Sequence, residues 1–234
     1  MTTCEAIWIA NGRQFVIEAE ASARSFLKYH PSIPMRLITP HDLRPFSVFA
    51  STTKFDYEES EPWYKNLTRV YRTLPDYADR ILLFDTDTYI NAPLDGPRRL
   101  LNRFDFLGCH APGRRTTGSV HDDIGLEFPE LNIGFLAFNS NASVRALFDL
   151  MFTLYTDNPV TYNNNDQGPL RDALYEWDGS FYVLPPEFNF RFGFGGQVRG
   201  RVSVLHGRSK NVATLLSKVN SSMDIRSYRR GDLE

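Results

Sequence analysis

Two cysteines in 234 residues, Cys4 and Cys109, are too few for a disulfide framework or a thiolate zinc site. They read as unpaired thiols in a reducing compartment, so a cytoplasmic location is expected. The N-terminal MTTCEAIWIANGRQF has neither a charged leader nor a long apolar core, so no signal peptide is read there. No apolar run approaches the roughly 20 residues that span a bilayer. Peripheral membrane contact stays open. Excess charge is missing too: the formal net charge is −2, which gives no basic field for nucleic acid. Repeats and low-complexity tracts are absent. What is present is the composition of an ordinary globular protein, 42% hydrophobic and 23% charged. Aromatics make up 14%, which reads first as core packing, with stacking of a minority on a ring or base as the other reading.

Apolar patterning divides the chain into alternating elements. EAIWIA (5–10) reads as a strand. Phe15, Ala19, Ala23, Phe26 and Leu27 share one face of a helix running to Tyr29. MRLIT (35–39) is the next strand, after Pro31 and Pro34. Strand, helix, strand favours a parallel sheet with a right-handed crossover. Residues 40–62 read as loop and 63–74 as helix. ILLF (81–84) is apolar at every position, as a strand buried on both faces would be. A turn around Pro93 and Gly96 leads into a short helix. FDFLGC (104–109), IGFLAF (133–138), FYVL (181–184) and RVSVLH (201–206) read as further strands. Ser140, Asn141 and Ser143 offer N-caps to a helix carrying Val144, Leu147, Phe148, Met151 and Tyr155. Another helix starts near 169. PGRRTTGSVHDDIG (112–125) reads as a mobile polar loop, and the tail from about 223 as loosely held. The expectation is one α/β domain over 1–234 with a mainly parallel central sheet flanked by helices. Ligands of such sheets sit outside the carboxyl ends of the strands.

One of those ends carries the sequence's clearest chemical signal, the pair Asp85 and Asp87 in ILLFDTDTYI. A solvated turn is one reading. A calcium loop fails, because Tyr89 takes the third ligand position and no glycine follows. A phosphatase resembling the haloacid dehalogenases would use Asp85 as nucleophile, yet Tyr89 stands where that pattern wants Thr or Val. The last reading is a divalent metal bridging a nucleoside diphosphate. Hard cations take oxygen ligands, and one carboxylate pair suffices when phosphates and waters complete the set.

Four later segments bear on the choice: LNIGFLAFN (131–139), NNDQGPLRDAL (164–174), PPEFNFRF (185–192) and VLHGRSK (204–210). With the aspartate pair, and in this order, they resemble the nucleotide-diphospho-sugar transferases of the GT-A fold. The similarity is greatest to the retaining branch that holds glycogenin and the lipooligosaccharide galactosyltransferases, and it spans roughly 5–210. The resemblance implies a single Rossmann-like domain, its nucleotide-binding part about 1–110 and its acceptor- and sugar-binding part about 111–215. It implies a nucleotide-sugar donor, UDP by preference, and a glycan or other hydroxyl acceptor. Asp85, Asp87 and His206 would hold the metal, and the imidazole leans the choice to manganese over magnesium. Ala10, Asn11, Gly12, Arg69, Thr86, Asn132, Gly134 and Lys210 would join Asp85 and Asp87 in binding the donor. Asp166 and Gln167 would lie at the reacting carbon. Lys65 rivals Arg69 as the diphosphate cation. Asn189 would contact the acceptor, support the site or serve a turn.

One departure concerns the late lysine, which the compressed HGRSK brings closer to His206 than the family pattern has it. Arg208 is therefore its rival for the diphosphate. The polar loop has no counterpart in the pattern and could close over the donor. An inverting enzyme would need a carboxylate base at the acceptor, with Asp122, Asp123, Glu127 and Asp166 as candidates. A non-catalytic sugar-nucleotide-binding module of the same fold is the other alternative. A pyrophosphorylase is weaker, since ANGRQF lacks the glycine-rich loop of that class.

Overall fold

The structure is a computed structural model, which describes residues 2–42, 48–113, 118–128 and 130–233. Part of the expected 40–62 loop, with Pro45, and residues 114–117 of the polar loop lie outside the described residues.

Seven strands form the main sheet. They are β1 (Cys4–Ile9), β2 (Met35–Thr39), β3 (Ser51–Lys54), β4 (Arg80–Phe84), β6 (Phe106–His110), β7 (Leu131–Asn139) and β8 (Phe181–Leu184). A short β5 (Thr88–Ile90) follows β4 and leaves the sheet. The order across the sheet is β3-β2-β1-β4-β7-β6-β8. β1 pairs in parallel with β2 and β4, and β6 with β8, while β7 runs antiparallel to β4 and β6. The mainly parallel expectation therefore holds with one reversed strand. A parallel return needs a crossover, most often a helix. Among the described residues none lies between β6 and β7, and the chain doubles back.

The helices cover both faces. They are α1 (Arg13–Leu27), α2 (Trp63–Tyr71), α3 (Asp95–Leu100), α4 (Ala142–Asp157), α5 (Gln167–Glu176) and α6 (Val212–Val219). On one face Trp8, Phe84 and Phe135 lie on adjacent strands in register and stack, centroids 5.1 and 5.0 Å apart. Such pairs add about 0.5–1.5 kcal/mol each to the burial of their area. Val16, Ala19, Ala23 and Phe26 of α1 pack onto this face. Phe15 and Leu27, expected on it, are 40% and 39% exposed. The inward stripe instead includes Ser22 and Ser25, for a reason given below.

Asn141 takes the N-cap of α4, accepting from Val144 N at 2.9 Å. Its amide nitrogen also donates to Asp105. Asn141→Ala is expected to lower the stability to chemical denaturation by about 1 kcal/mol or slightly more. An unchanged denaturation midpoint would remove the cap from the account.

Two small sheets complete the fold. β9 (Phe190–Arg191), β11 (Val204–His206) and β5 form one, in the order β5-β11-β9. β10 (Gly196–Val198) pairs with β12 (Arg226–Tyr228) in the other. The tail is thus tied down as far as Leu233, which is buried with Phe190, Val198, Leu205 and Leu215. The near end of the polar loop is also fastened rather than free. Ser119 Oγ and Val120 N donate to the buried Asp172 of α5, both at 2.8 Å. Arg171, equally buried, donates to the carbonyls of Gly125 and Phe128.

Candidate active site

β4 delivers Asp85 to the carboxyl edge of the sheet, and the reversed β7 begins at that same edge. The main-chain N of Asp85 donates to Gly134 O at 3.1 Å, so the aspartate turn sits on the NxG segment. The turn is also pinned from below. Thr88 Oγ1 donates to Asp85 O at 2.8 Å, so Ser22 Oγ, 2.8 Å away, donates to Thr88. Trp8 Nε1 donates to Ser22 Oγ, and Ser25 Oγ accepts from Ile90 N. That is why α1 points serines inward.

β5 then pairs antiparallel with β11, placing His206 opposite Thr88. Gly207 N donates to Asp87 O at 3.0 Å. This three-residue ladder carries His206 Nε2 to 3.4 Å from Asp85 Oδ2 and 3.3 Å from Asp87 Oδ1. Ligand atoms of the three residues lie within 4.8 Å of one another. His206 is buried, and its Nδ1 faces Asn189 Oδ1 at 2.9 Å. Two carboxylates and an imidazole nitrogen facing each other present negative charge and lone pairs, which a divalent cation satisfies. The donor set fits a metal. Gly134 lies under the histidine ring, where a β-carbon would come within 2.1 Å of Nδ1.

The two aspartates differ in their surroundings. Burial and the charge of Asp87 push the Asp85 carboxyl above its ordinary value, against the pull of His206. Solvent still reaches Asp85 through the cleft mouth, and its side chain is 50% exposed. For Asp87 burial is outweighed by His206 and Arg208, which hold it below the ordinary value.

A cleft of about 430 Å³ opens beside this group. Asn11, Thr86, Asn132, Asp166 and Gln167 line it with the metal-type residues, as the motifs imply. Ala10 and Gly12 shape the turn behind Asn11. Gly12 has φ +107°, which suits glycine. Thr86 Oγ1 donates to Glu18 at 3.1 Å. Asn132 is committed inward, accepting from Gly134 N and donating to Gln167 Oε1 at 2.7 Å. Asp166 precedes α5 but caps nothing with its side chain. Its Oδ2 accepts from Tyr71 Oη at 2.8 Å. Burial, then the charge of Asp85, raises the Asp166 carboxyl to about 7, with the Tyr71 hydrogen bond opposing.

The basic residues are distributed differently from the sequence reading. Arg69 and Lys65 both pair with Glu61 and do not line the cleft. Arg191 and Arg208 do. Arg208 is held by Glu18 through two bonds of 2.8 and 2.9 Å, lies over Phe15, and reaches Asp87 at 3.4 Å. Lys210 is exposed and faces an adjoining cavity of about 760 Å³. Arg191, Tyr64, Glu18 and the solvent-facing Phe15 are the site residues that motif reading missed. Only Arg191 had a signal, two residues after Asn189 in PEFNFRF. Asp122, Asp123 and Glu127 do not line the cleft, and Asp123 is taken by Tyr175 Oη at 2.8 Å.

No family model matches this chain, and no curated protein does. Solved structures do match. A structure of the galactosyltransferase LgtC with donor and acceptor sugar analogues superposes with TM-score 0.64 and 14% identity, over 88% of this chain and 87% of that one. An active-site mutant of LgtC gives 0.67 at 14% identity, over 88% of each chain. The apo glycosyltransferase GlyE of Streptococcus pneumoniae TIGR4 gives 0.62 at 14%, over 90% of this chain and 55% of that one. The chain therefore has the GT-A fold that its motifs imply, shared with these glycosyltransferases.

Proposed function

We propose that this protein is a metal-dependent glycosyltransferase, moving a sugar from a nucleotide-diphosphate donor to a hydroxyl of a glycan or similar acceptor. The observation that carries this reading is the convergence of Asp85, Asp87 and His206 at the edge of a cleft lined by Asp166 and Gln167. UDP is the preferred nucleotide and manganese the preferred ion, with magnesium as its substitute. LgtC, similar in fold, was crystallised with donor and acceptor sugar analogues, which supports the same two partners here.

The barrier in glycosyl transfer is charge separation between the anomeric carbon and the departing diphosphate. A divalent metal supplies Lewis-acid neutralisation of that leaving group. Arg191 and Arg208 add fixed positive charge beside it. Asn11 meets the nucleoside end of the cleft. Asp166 and Gln167 face the sugar, and Asp166 orients its hydroxyls. Retention is the leading stereochemical reading. One observation favours inversion: a carboxyl near 7 is well matched to act as a base toward the acceptor, and Asp166 is the carboxylate in the cleft outside the metal-type group. The anomeric configuration of the product, read by NMR, decides between them. A phosphatase built on Asp85 draws no support, because Tyr89 stands where that pattern wants Thr or Val and His206 closes on both aspartates.

The test is a thermal-shift panel of nucleotide sugars with and without manganese. One nucleoside diphosphate should stabilise the protein only with metal, by about 2.7 kcal/mol at a hundredfold excess over Kd. Asp87→Ala should remove the metal-dependent part. No shift with any donor would sink the reading. Binding without turnover would point to the non-catalytic module.

A further inference from the structure

We propose that Asn189 is a positioning residue that fixes the tautomer of His206. The inference rests on the proposed metal site and adds a residue to it. It starts from two main-chain groups whose roles are unambiguous. Gly134 N–H can only donate, and it reaches Asn132 Oδ1 at 3.0 Å. The other amide atom of Asn132 is therefore nitrogen, which donates to Gln167 Oε1 at 2.7 Å. The carbonyl of Asn132 can only accept. Asn189 Nδ2 donates to it at 3.2 Å and to Asn132 Oδ1 at 2.9 Å. The amide nitrogen of Asn189 thus faces Asn132, and its oxygen faces His206 Nδ1 at 2.9 Å. An amide oxygen only accepts, so Nδ1 carries the ring hydrogen. Nε2 is left with its lone pair aimed between Asp85 and Asp87.

Without such a partner, a neutral imidazole beside two carboxylates favours the opposite tautomer, with Nε2–H donating to them. That form cannot ligate through Nε2. Asn132 and Asn189 are buried, 3% and 4% exposed, so water does not substitute for either. The relay also passes through Gln167, whose Nε2 donates on to Glu130 Oε1 at 3.3 Å. A single hydrogen-bonded chain therefore orients both the metal ligand and a residue on the sugar side, and folding of β7 sets it before any ligand arrives. The partner of a ligating histidine's second nitrogen is typically worth 10- to 100-fold in metal affinity.

The test uses the full chain, with ring ¹⁵N NMR of His206 in metal-free protein at alkaline pH and Mn²⁺ titration followed by EPR. Wild type should show Nδ1–H. Asn189→Leu should shift the ring toward Nε2–H and weaken Mn²⁺ about 10- to 100-fold. A wild-type Nε2–H signal overturns the proposal. So does a folded Asn189→Leu protein with wild-type tautomer and Mn²⁺ affinity. If Asn189→Leu does not fold, the wild-type spectrum still decides. Nδ1–H in a wild type that binds no Mn²⁺ would sink the metal reading and leave the tautomer assignment standing.

Discussion

Gly134→Ala is expected to abolish metal binding, raising the Kd for Mn²⁺ at least 100-fold and taking transfer with it. The added methyl would stand 2.1 Å from His206 Nδ1, 2.2 Å from Cε1 and 2.9 Å from Asn132 Oδ1. Something has to move. The strand resists, because Gly134 O accepts from Asp85 N and Gly134 N donates to Asn132. Moving it would displace the aspartate turn as well. The ring is the softer partner, and leaving takes Nε2 away from the two carboxylates. Either response breaks the group. Overpacking of this kind also costs about 1–3 kcal/mol of stability. A double-mutant cycle isolates the cause. In a His206→Ala background the two ring clashes are gone, and the cost of adding Gly134→Ala should fall to that of the remaining 2.9 Å contact with Asn132 Oδ1. Normal Mn²⁺ affinity in the single variant would show that the ring is not a ligand, or that the clash is relieved elsewhere.

Much of this site is legible in the sequence because its residues sit on elements with strong local signals. Asp85 follows four apolar residues that read as a strand buried on both faces. Asp166, Gln167 and His206 sit where the family's motif order implies, and the cleft gathers them. Strand direction was not readable. β7 is buried at every position from Leu131 to Phe138, and a strand covered on both faces looks the same in either sense. The approach of His206 depends on β5, three residues long, below any periodicity. Arg69 sits where the family pattern has a cation and Arg191 two residues after Asn189, and sequence alone does not rank them. Glu61 removes the first from the cleft, and only tertiary contacts show that. Ser22 and Ser25 likewise follow no amphipathic rule, since their burial serves the turn at Asp85. The tail reads as polar, and it is. Leu233 and the β12 ladder hold it by a few contacts that composition does not weigh.

Asp166→Asn is expected to stabilise the unliganded protein at pH 8 while lowering transfer by about 10²–10⁴-fold if the carboxylate moves a proton. The folded carboxyl lies at about 7 against an ordinary 3.8, raised first by burial and then by Asp85. Between those two values the folded state holds a proton that the unfolded state has lost. Stability therefore falls as pH rises through this window, and the full penalty is present above pH 7. At roughly 1.4 kcal/mol per unit, the penalty is on the order of a few kcal/mol. Asparagine carries no charge to desolvate, and its oxygen still accepts from Tyr71 Oη. Urea unfolding in EDTA should show the variant ahead of wild type at pH 8, with the gap closing toward pH 4. Adding Mn²⁺ to wild type should narrow the gap as well, because a cation on Asp85 cancels the second cause of the shift. A variant that tracks wild type at every pH would mean that Asp166 is not held against its ionisation. A gap that opens as pH rises would show Asp166 as a charge kept at a thermodynamic loss, in a fold that would be more stable without it.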